Sequence, residues 1–427
     1  KKDAPSYLSD FVEEFITDDE GKNVLKCHYK ESSNPDEQYD IYFDMDFVFE
    51  KIEINNHHFN KFKEKFWHVT NTFVPANTKF IIPLPDKSSK LFAQKILNKI
   101  KDNYKDEQLP KIISQSEIDT IPKEESGAIL VVGSTVVLGR NLLYISRALR
   151  DYEKCSISYI VGIARTMNED YLGFLKKNLG QGKYGVDTFP FIPLYTIYCE
   201  NDFKESTWLH ELAFNRSFKD YLENDFEKYV SAINFIKSRI AYLEQNENNG
   251  LADSIFLPKP NLTEQLSLRK NFAFFNFNGY VGKVSQGDVY FTISTIVNKL
   301  RHEENMKHSL RQSEYVRNLI DPSNFERFND GVIQAAILRA ANLRELSYNI
   351  DEQVSLKMKL IIDNLIENMT DDNSEALLEF VYAIVSKKLK ISGSHRDSLF
   401  AKLRILGNKT IEAYLDFYEF RHKQQDS

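Results

Sequence analysis

Residues 128–150 read AILVVGSTVVLGRNLLYISRALR, and their reading decides the fold. Ala128, Ile129, Leu130, Val131 and Val132 form an unbroken apolar run, the pattern of a strand covered on both faces in a parallel sheet. Positions 133–140 read as a glycine-bearing loop. From position 141 to 152 Leu142, Ile145, Ala148 and Leu149 recur at helical spacing. A loop between a buried strand and a helix amino terminus presents backbone amides and the positive end of the helix dipole, which suits a phosphate.

Outward from this unit the alternation continues. Residues 79–85 (KFIIPLP) are a short apolar run stopped by prolines, and residues 88–100 (SSKLFAQKILNKI) carry apolar positions at helical spacing. Strands are expected at 157–163 and 189–199, with a helix over 169–179 between them. Strands alternating with helices predict βαβ units and a parallel sheet. On the amino-terminal side, residues 39–49 (YDIYFDMDFVF) alternate apolar residues with aspartate, which predicts a half-buried strand. Asp44 and Asp46 then lie on its solvent face, and their Asp-x-Asp spacing also suits a metal or a nucleotide sugar.

On the carboxyl-terminal side, Tyr229, Ile233, Ile236, Ile240 and Leu243 predict a helix over 225–247. Prolines 258 and 260 mark a linker, followed by strand-like runs at 272–277 and 289–293. Residues 310–425 read as all helix, with Asp330, Asp351 and the 372–374 cluster as caps and Gly407 as a break. The expected division is an α/β segment over 1–75, a parallel-sheet domain over 76–202, a helical and β connecting region over 203–300, and a helical domain over 301–427.

A chain of 427 residues has room for two or three domains. Its 55 Lys and Arg against 62 Asp and Glu give a net charge of −7. That argues against wholesale coating of nucleic acid and leaves a local basic site open. Cys27, Cys155 and Cys199 are far apart in sequence, so neither a disulfide framework nor a Cys-rich zinc site is expected, and reduced thiols point to the cytoplasm. No apolar run is long enough for a membrane helix, and the acidic start does not read as a signal peptide. His57, His58 and His68 lack metal-ligand spacing, and His210-Glu211 lacks the second histidine of a zinc-protease helix, so no metal site is expected. Residues 180–185 match GxGxxG, but a helix precedes them and a strand follows, so they read as a connection or a flap.

The 128–150 segment resembles the ribose-phosphate loop of type I phosphoribosyltransferases. In that family a strand ending in an acidic pair is followed by three variable residues, Thr-Gly-x-Thr and a helix. Gly133 and Ser134 stand at the positions of the acidic pair, and Leu138, Gly139 and Asn141 at those of the Thr, Gly and Thr. Residues 80–93 are similar to the family's pyrophosphate loop. The resemblance covers about residues 75–200. It implies a phosphoribosyltransferase-like α/β parallel-sheet domain with a mixed α/β insertion and an all-α C-terminal domain. It further implies a phosphorylated ribose or nucleotide held by Gly133, Ser134, Thr135, Val137, Leu138, Gly139, Arg140 and Asn141. Pro85, Asp86, Lys87, Ser88 and Ser89 would form the pyrophosphate loop, with Mg²⁺ accompanying a pyrophosphate ligand. The acidic pair that holds the ribose hydroxyls in the family is absent here. At about 1.5–3 kcal/mol per hydrogen bond to a charged group, losing two costs about 3–6 kcal/mol, or roughly 100- to 10,000-fold in affinity. Transfer chemistry is therefore left open beside binding without transfer.

Residues 321–341 (DPSNFERFNDGVIQAAILRAA) place Arg327, Asn329, Asp330, Gln334 and Arg339 on or beside one helix of small residues. Polar groups at a packed helix need partners, so these residues form either an internal salt-bridge network or a partner surface. The stretch resembles C-terminal regions of bacterial anti-phage conflict-system proteins. That resemblance implies a defence component with a protein partner, a reverse transcriptase with its nucleic acid among the candidates; the lack of a long apolar run separately argues for no membrane partner. The alternative is a non-enzymatic scaffold that assembles with partner proteins or nucleic acid.

Overall fold

The computed structural model describes residues 6–15, 23–30, 38–52, 59–105, 108–180, 190–199, 206–269, 275, 277, 279–280, 282–303, 319–369 and 374–425. His57, His58, most of the 180–185 motif, residues 272–274 and 276, and residues 372–373 lie outside them. The chain forms two compact units, one built from 1–9, 25–42 and 202–427, the other from 10–24 and 43–201. Residues 43–75 therefore pack with the sheet, and 203–300 share a unit with 301–427.

The sheet unit is reached through α1 (Ser6–Phe15) and four two-residue strands, β1 (Leu25–Lys26), β2 (Tyr29–Lys30), β3 (Gln38–Tyr39) and β4 (Tyr42–Phe43). It continues with α2 (Met45–Lys51), α3 (Asn60–Phe73), β5 (Thr78–Pro83), α4 (Lys87–Ile100), β6 (Lys111–Ile112), β7 (Gly127–Val136), α5 (Arg140–Ala148), β8 (Cys155–Thr166), α6 (Glu169–Leu179) and β9 (Phe191–Tyr198). The five strands β5 to β9 form one sheet in the order β6-β5-β7-β8-β9. All pairs are parallel, with Ile81 opposite Leu130, Val131 opposite Tyr159 and Ile160 opposite Ile192. Ala128 to Val132 are wholly buried, as the bare apolar run requires.

Leu142, Ile145 and Leu149 meet Leu172, Leu175 and Leu179 over Val131, Tyr159 and Val161 in one apolar cluster. Right-handed crossovers put α5 and α6 on this face of the sheet and α4 on the other. On that second side α4 packs with α2 and α3, and Phe49 stacks on Phe92 at 4.6 Å.

Two strand expectations give way to helices. Residues 45–51 of the expected 39–49 strand are α2. Met45, Val48 and Phe49 fall on one helical face, and all three are buried. The run at 289–293 lies inside α9 (Gln286–His302). Ser285 and Asp288 form a reciprocal capping box there, and burial of Val289 to Ile293 outweighs their strand preference.

The helical unit comprises α7 (Thr207–Leu222), α8 (Phe226–Gln245), α9, α10 (Ser323–Arg327), α11 (Gly331–Ala340), α12 (Glu352–Glu367), α13 (Leu377–Val385), α14 (Gly393–Ile405) and α15 (Lys409–Gln425). The expected caps at Asp330 and Asp351 are in place, whereas α13 starts after Ala376 with no side-chain cap. Asp330 accepts from the amides of Val332 and Ile333 at 3.0 and 3.4 Å, and Asp351 from those of Gln353 and Val354 at 2.8 and 3.0 Å. Gly407, at φ +64°, separates α14 from α15. No helix among the described residues is long and apolar enough to cross a membrane.

A buried histidine makes this unit sensitive to acid. His28 Nε2 donates to the Leu243 carbonyl at 3.1 Å, and Nδ1 accepts from Gln38 Nε2 at 3.0 Å, so the ring is held neutral. Burial pushes its pKa down to about 4. Its contribution is complete above pH 6.5, the unfolded value, and is lost as pH falls toward 4. Asp288, pushed up to about 7 by burial, acts in the opposite sense, its contribution draining as pH rises from the usual carboxylate range through 7. Comparing the chain with a His28→Gln variant cancels the Asp288 contribution. The stability gap between the two, from urea titration, should shrink by about 2 kcal/mol between pH 7.5 and pH 5. A constant gap would mean that His28 titrates normally.

Candidate functional site

The strand order reverses direction between β5 and β7. In open α/β sheets ligands bind in the crevice at such a switch point, outside the carboxyl ends of the strands. The two loops singled out in the sequence are the exits of these two strands.

At the exit of β5, Asp86 is the N-cap of α4. Its Oδ1 accepts from the Ser89 amide at 2.7 Å and from Ser134 Oγ at 2.9 Å, and its Oδ2 accepts from Ser89 Oγ at 2.6 Å. Ser89 Oγ in turn accepts from the Ser134 amide at 2.8 Å. Each hydroxyl proton is thus used on Asp86, and the two strand exits are tied together by one carboxylate. Ser88 Oγ donates to Asp46 Oδ1 at 2.5 Å, and Lys87 Nζ lies 2.8 Å from Asp46 Oδ2 and 3.5 Å from Glu50. The hydrogen bond to Asp46 raises the Lys87 pKa. Pro85 is half-buried beside this turn. The α4 amino terminus therefore already holds an anion, its own Asp86, and a pyrophosphate there would face that charge. Asp46 belongs to this turn as well. Its Asp-x-Asp spacing was a usable signal, but the strand expected for it placed it on a solvent face.

At the exit of β7 the strand is longer than the sequence implies. Gly133, Ser134 and Thr135 lie inside it, and the loop shortens to Val137, Leu138 and Gly139. Gly133 is a core position: a Cβ there would stand 3.0 Å from Leu84 Cδ1 and 3.1 Å from Val136 Cγ2. Thr135 Oγ1 is buried and makes no hydrogen bond among the described residues. Leu138 is half-buried, and its carbonyl accepts from Tyr171 OH at 3.4 Å. Gly139, at φ +68°, is the N-cap of α5, which has no side-chain cap. A Cβ on Gly139 would approach Leu175 Cδ1 to 2.5 Å, so substitution there disturbs the packing of α6 as well as the loop. Arg140 and Asn141 are exposed at the head of α5. Of the two helix starts, that of α5 alone lacks a side-chain cap.

The 321–341 residues resolve largely into the interior. Asp330 caps α11 and accepts from the Arg269 amide at 2.8 Å. Gln334 is buried and donates to the Phe325 carbonyl at 2.7 Å. Arg339 pairs with Glu211 and Glu379, both buried. Asp330, Gln334 and Arg339 are therefore corrected from partner surface to internal network. They lie in a helix buried on all sides from Gly331 to Arg339, where unpaired polar groups are costly. Arg327 and Asn329 stay exposed. Among the described residues no group of His, Cys, Asp and Glu has the arrangement of a metal site. No protein-family model matches this chain, and no curated protein matches it.

Proposed function

We propose that the sheet unit is a diverged phosphoribosyltransferase-like domain that binds a phosphorylated ribose or nucleotide at the exit of β7 and does not transfer it. The observation that carries this reading is the start of α5, with left-handed Gly139 and no side-chain cap at the switch point of the sheet. Thr135, Arg140 and Asn141 would supply polar contacts around the phosphate. The missing carboxylates at 133 and 134 and the engaged Asp86 speak against transfer. In the wider reading the chain is a component of a bacterial defence system, and its helical unit serves assembly with a protein partner.

Calorimetry with phosphoribosyl pyrophosphate and nucleoside monophosphates, with and without Mg²⁺, tests the site. Micromolar binding is expected, and Arg140→Glu should weaken it tenfold or more. An acidic residue in the first turn favours the helix itself, so that loss would not come from unfolding. Absence of binding at millimolar ligand, or binding indifferent to Arg140→Glu, would remove the site. The scaffold reading has one observation of its own, the α4 start closed by Asp86.

A further inference from the structure

The outward face of α5 and α6 is chemically unlike the rest of this acidic chain. From Arg140 to Arg150 and from Glu169 to Gly180 there are five cations, Arg140, Arg147, Arg150, Lys176 and Lys177, against two carboxylates, Glu169 and Asp170, both in the first turn of α6. Two aromatic side chains stand on the same helices, Tyr144 at 56% exposure and Phe174 at 64%. Arg140, Tyr144 and Arg147 follow at i, i+4 and i+7, one stripe along α5. Two hydrogen bonds fix the helices side by side: Tyr171 OH donates to the Leu138 carbonyl at 3.4 Å, and Ser146 Oγ to that of Leu179 at 3.2 Å. Leu138 thus lies beside Tyr171 and Ser146 beside Leu179. That register puts Tyr144 level, along the helix pair, with the Phe174–Lys177 turn. Arg147, Arg150 and Lys177 make no hydrogen bond or ion pair among the described residues. Elsewhere many surface cations are engaged, as Lys87 is with Asp46 and Arg216 with Glu244.

Exposed aromatics beside exposed arginines are the composition that single-stranded nucleic acid recognises. Phosphates pair with the guanidinium groups, and bases stack on the rings without regard to sequence. We propose that the outer face of α5 and α6 binds single-stranded nucleic acid, with Tyr144 and Phe174 as stacking platforms and Arg147, Arg150 and Lys177 on the backbone. The net charge of −7 leaves this face as a local attractor rather than part of a general basic coat. The proposal is independent of ligand binding at the β7 exit, since none of these five residues belongs to that loop.

Fluorescence anisotropy of the full chain with labelled 20-mers of thymidine and of uridine, across a salt series, tests it. Micromolar binding at low salt is expected, and the two oligomers separate a DNA from an RNA preference. Tyr144→Ala with Phe174→Ala should weaken binding at least 30-fold. Arg147→Ala with Arg150→Ala should make the slope of log affinity against log salt shallower by about 1.4, two single-strand phosphate contacts. All four side chains are exposed, so circular dichroism should show both variants folded. Three results would overturn the proposal: no oligomer binding at 50 µM protein, binding unchanged in both variants, or binding to vesicles of anionic lipid with none to oligomers.

Discussion

Replacing Arg339 by alanine should destabilise the helical unit by about 3–5 kcal/mol, because it strands buried carboxylates. Arg339 sits in α11 with its side chain 1% exposed. Its Nε and Nη2 donate to Glu379 at 2.8 and 2.9 Å. Its Nη1 lies 2.8 Å from Glu211 Oε2, off the hydrogen-bond line. Glu211 is also held by Arg239 Nε at 2.7 Å. Burial raises the Glu211 pKa, and the two arginines more than offset that, holding it at about 2.

The purpose of so many buried charges is visible in what else they bond. Arg239 donates to the carbonyls of Ser254 and Ile255 at 2.7 and 2.8 Å, and Glu379 accepts from the Leu257 amide at 2.6 Å. Residues 254–257 belong to no helix or strand, and Ile255, Phe256 and Leu257 are wholly buried. An irregular buried segment must find partners for its peptide groups, and here the charges provide them. Arg339→Ala leaves two glutamates facing one arginine. The double variant Arg339→Met, Glu379→Gln keeps an acceptor for Leu257 and removes the excess charge, so it should lose less than the single variant. Trp208 reports on this directly, since its Nε1 donates to the Ile255 carbonyl at 2.8 Å. Urea unfolding followed by its fluorescence in a Trp67→Phe background is the measurement. A loss below 1 kcal/mol for Arg339→Ala would mean that the glutamates find other partners.

The same cluster marks where sequence reading stops. The parallel sheet was legible because a strand covered on both faces must be apolar throughout, as Ala128 to Val132 are. Helix starts were legible because Asp330 and Asp351 cap amides two and three residues away, a local interaction. Non-local pairing leaves no such trace. Glu211 and Arg239 look like ordinary helix-surface charges until α7, α8, α11 and α13 are brought together. Val289 to Ile293 read as a strand because its residue types favour one, while its burial was decided by tertiary contacts. At the candidate site, the order of the two loops along the chain was readable. The role of Asp86 was not, because the hydrogen bond from Ser134 spans 48 positions.

Gly133→Asp, which places a carboxylate where the proposed phosphoribosyltransferase-like reading would put the first ribose ligand, should destabilise the sheet unit by about 3–5 kcal/mol. Position 133 is in β7, and its Cβ direction leads to Leu84 and Val136 at 3.0 and 3.1 Å. Both belong to the apolar cluster that contains Val131 and Val161. A carboxylate there would be buried among side chains that offer it neither a hydrogen-bond donor nor a positive charge. Ser134→Asp fails for a different reason, since Ser134 Oγ stands 2.9 Å from Asp86 Oδ1 and a second carboxylate would meet the first. Packing thus disfavours a carboxylate at position 133, and Asp86 disfavours one at position 134. Gly133→Ala separates crowding from charge. It should cost about 1–3 kcal/mol, and the remainder of the Gly133→Asp loss is the buried charge. Urea unfolding of both variants by circular dichroism gives the two numbers. An aspartate variant as stable as the alanine variant would mean that a cation or a hydrogen-bond donor reaches position 133.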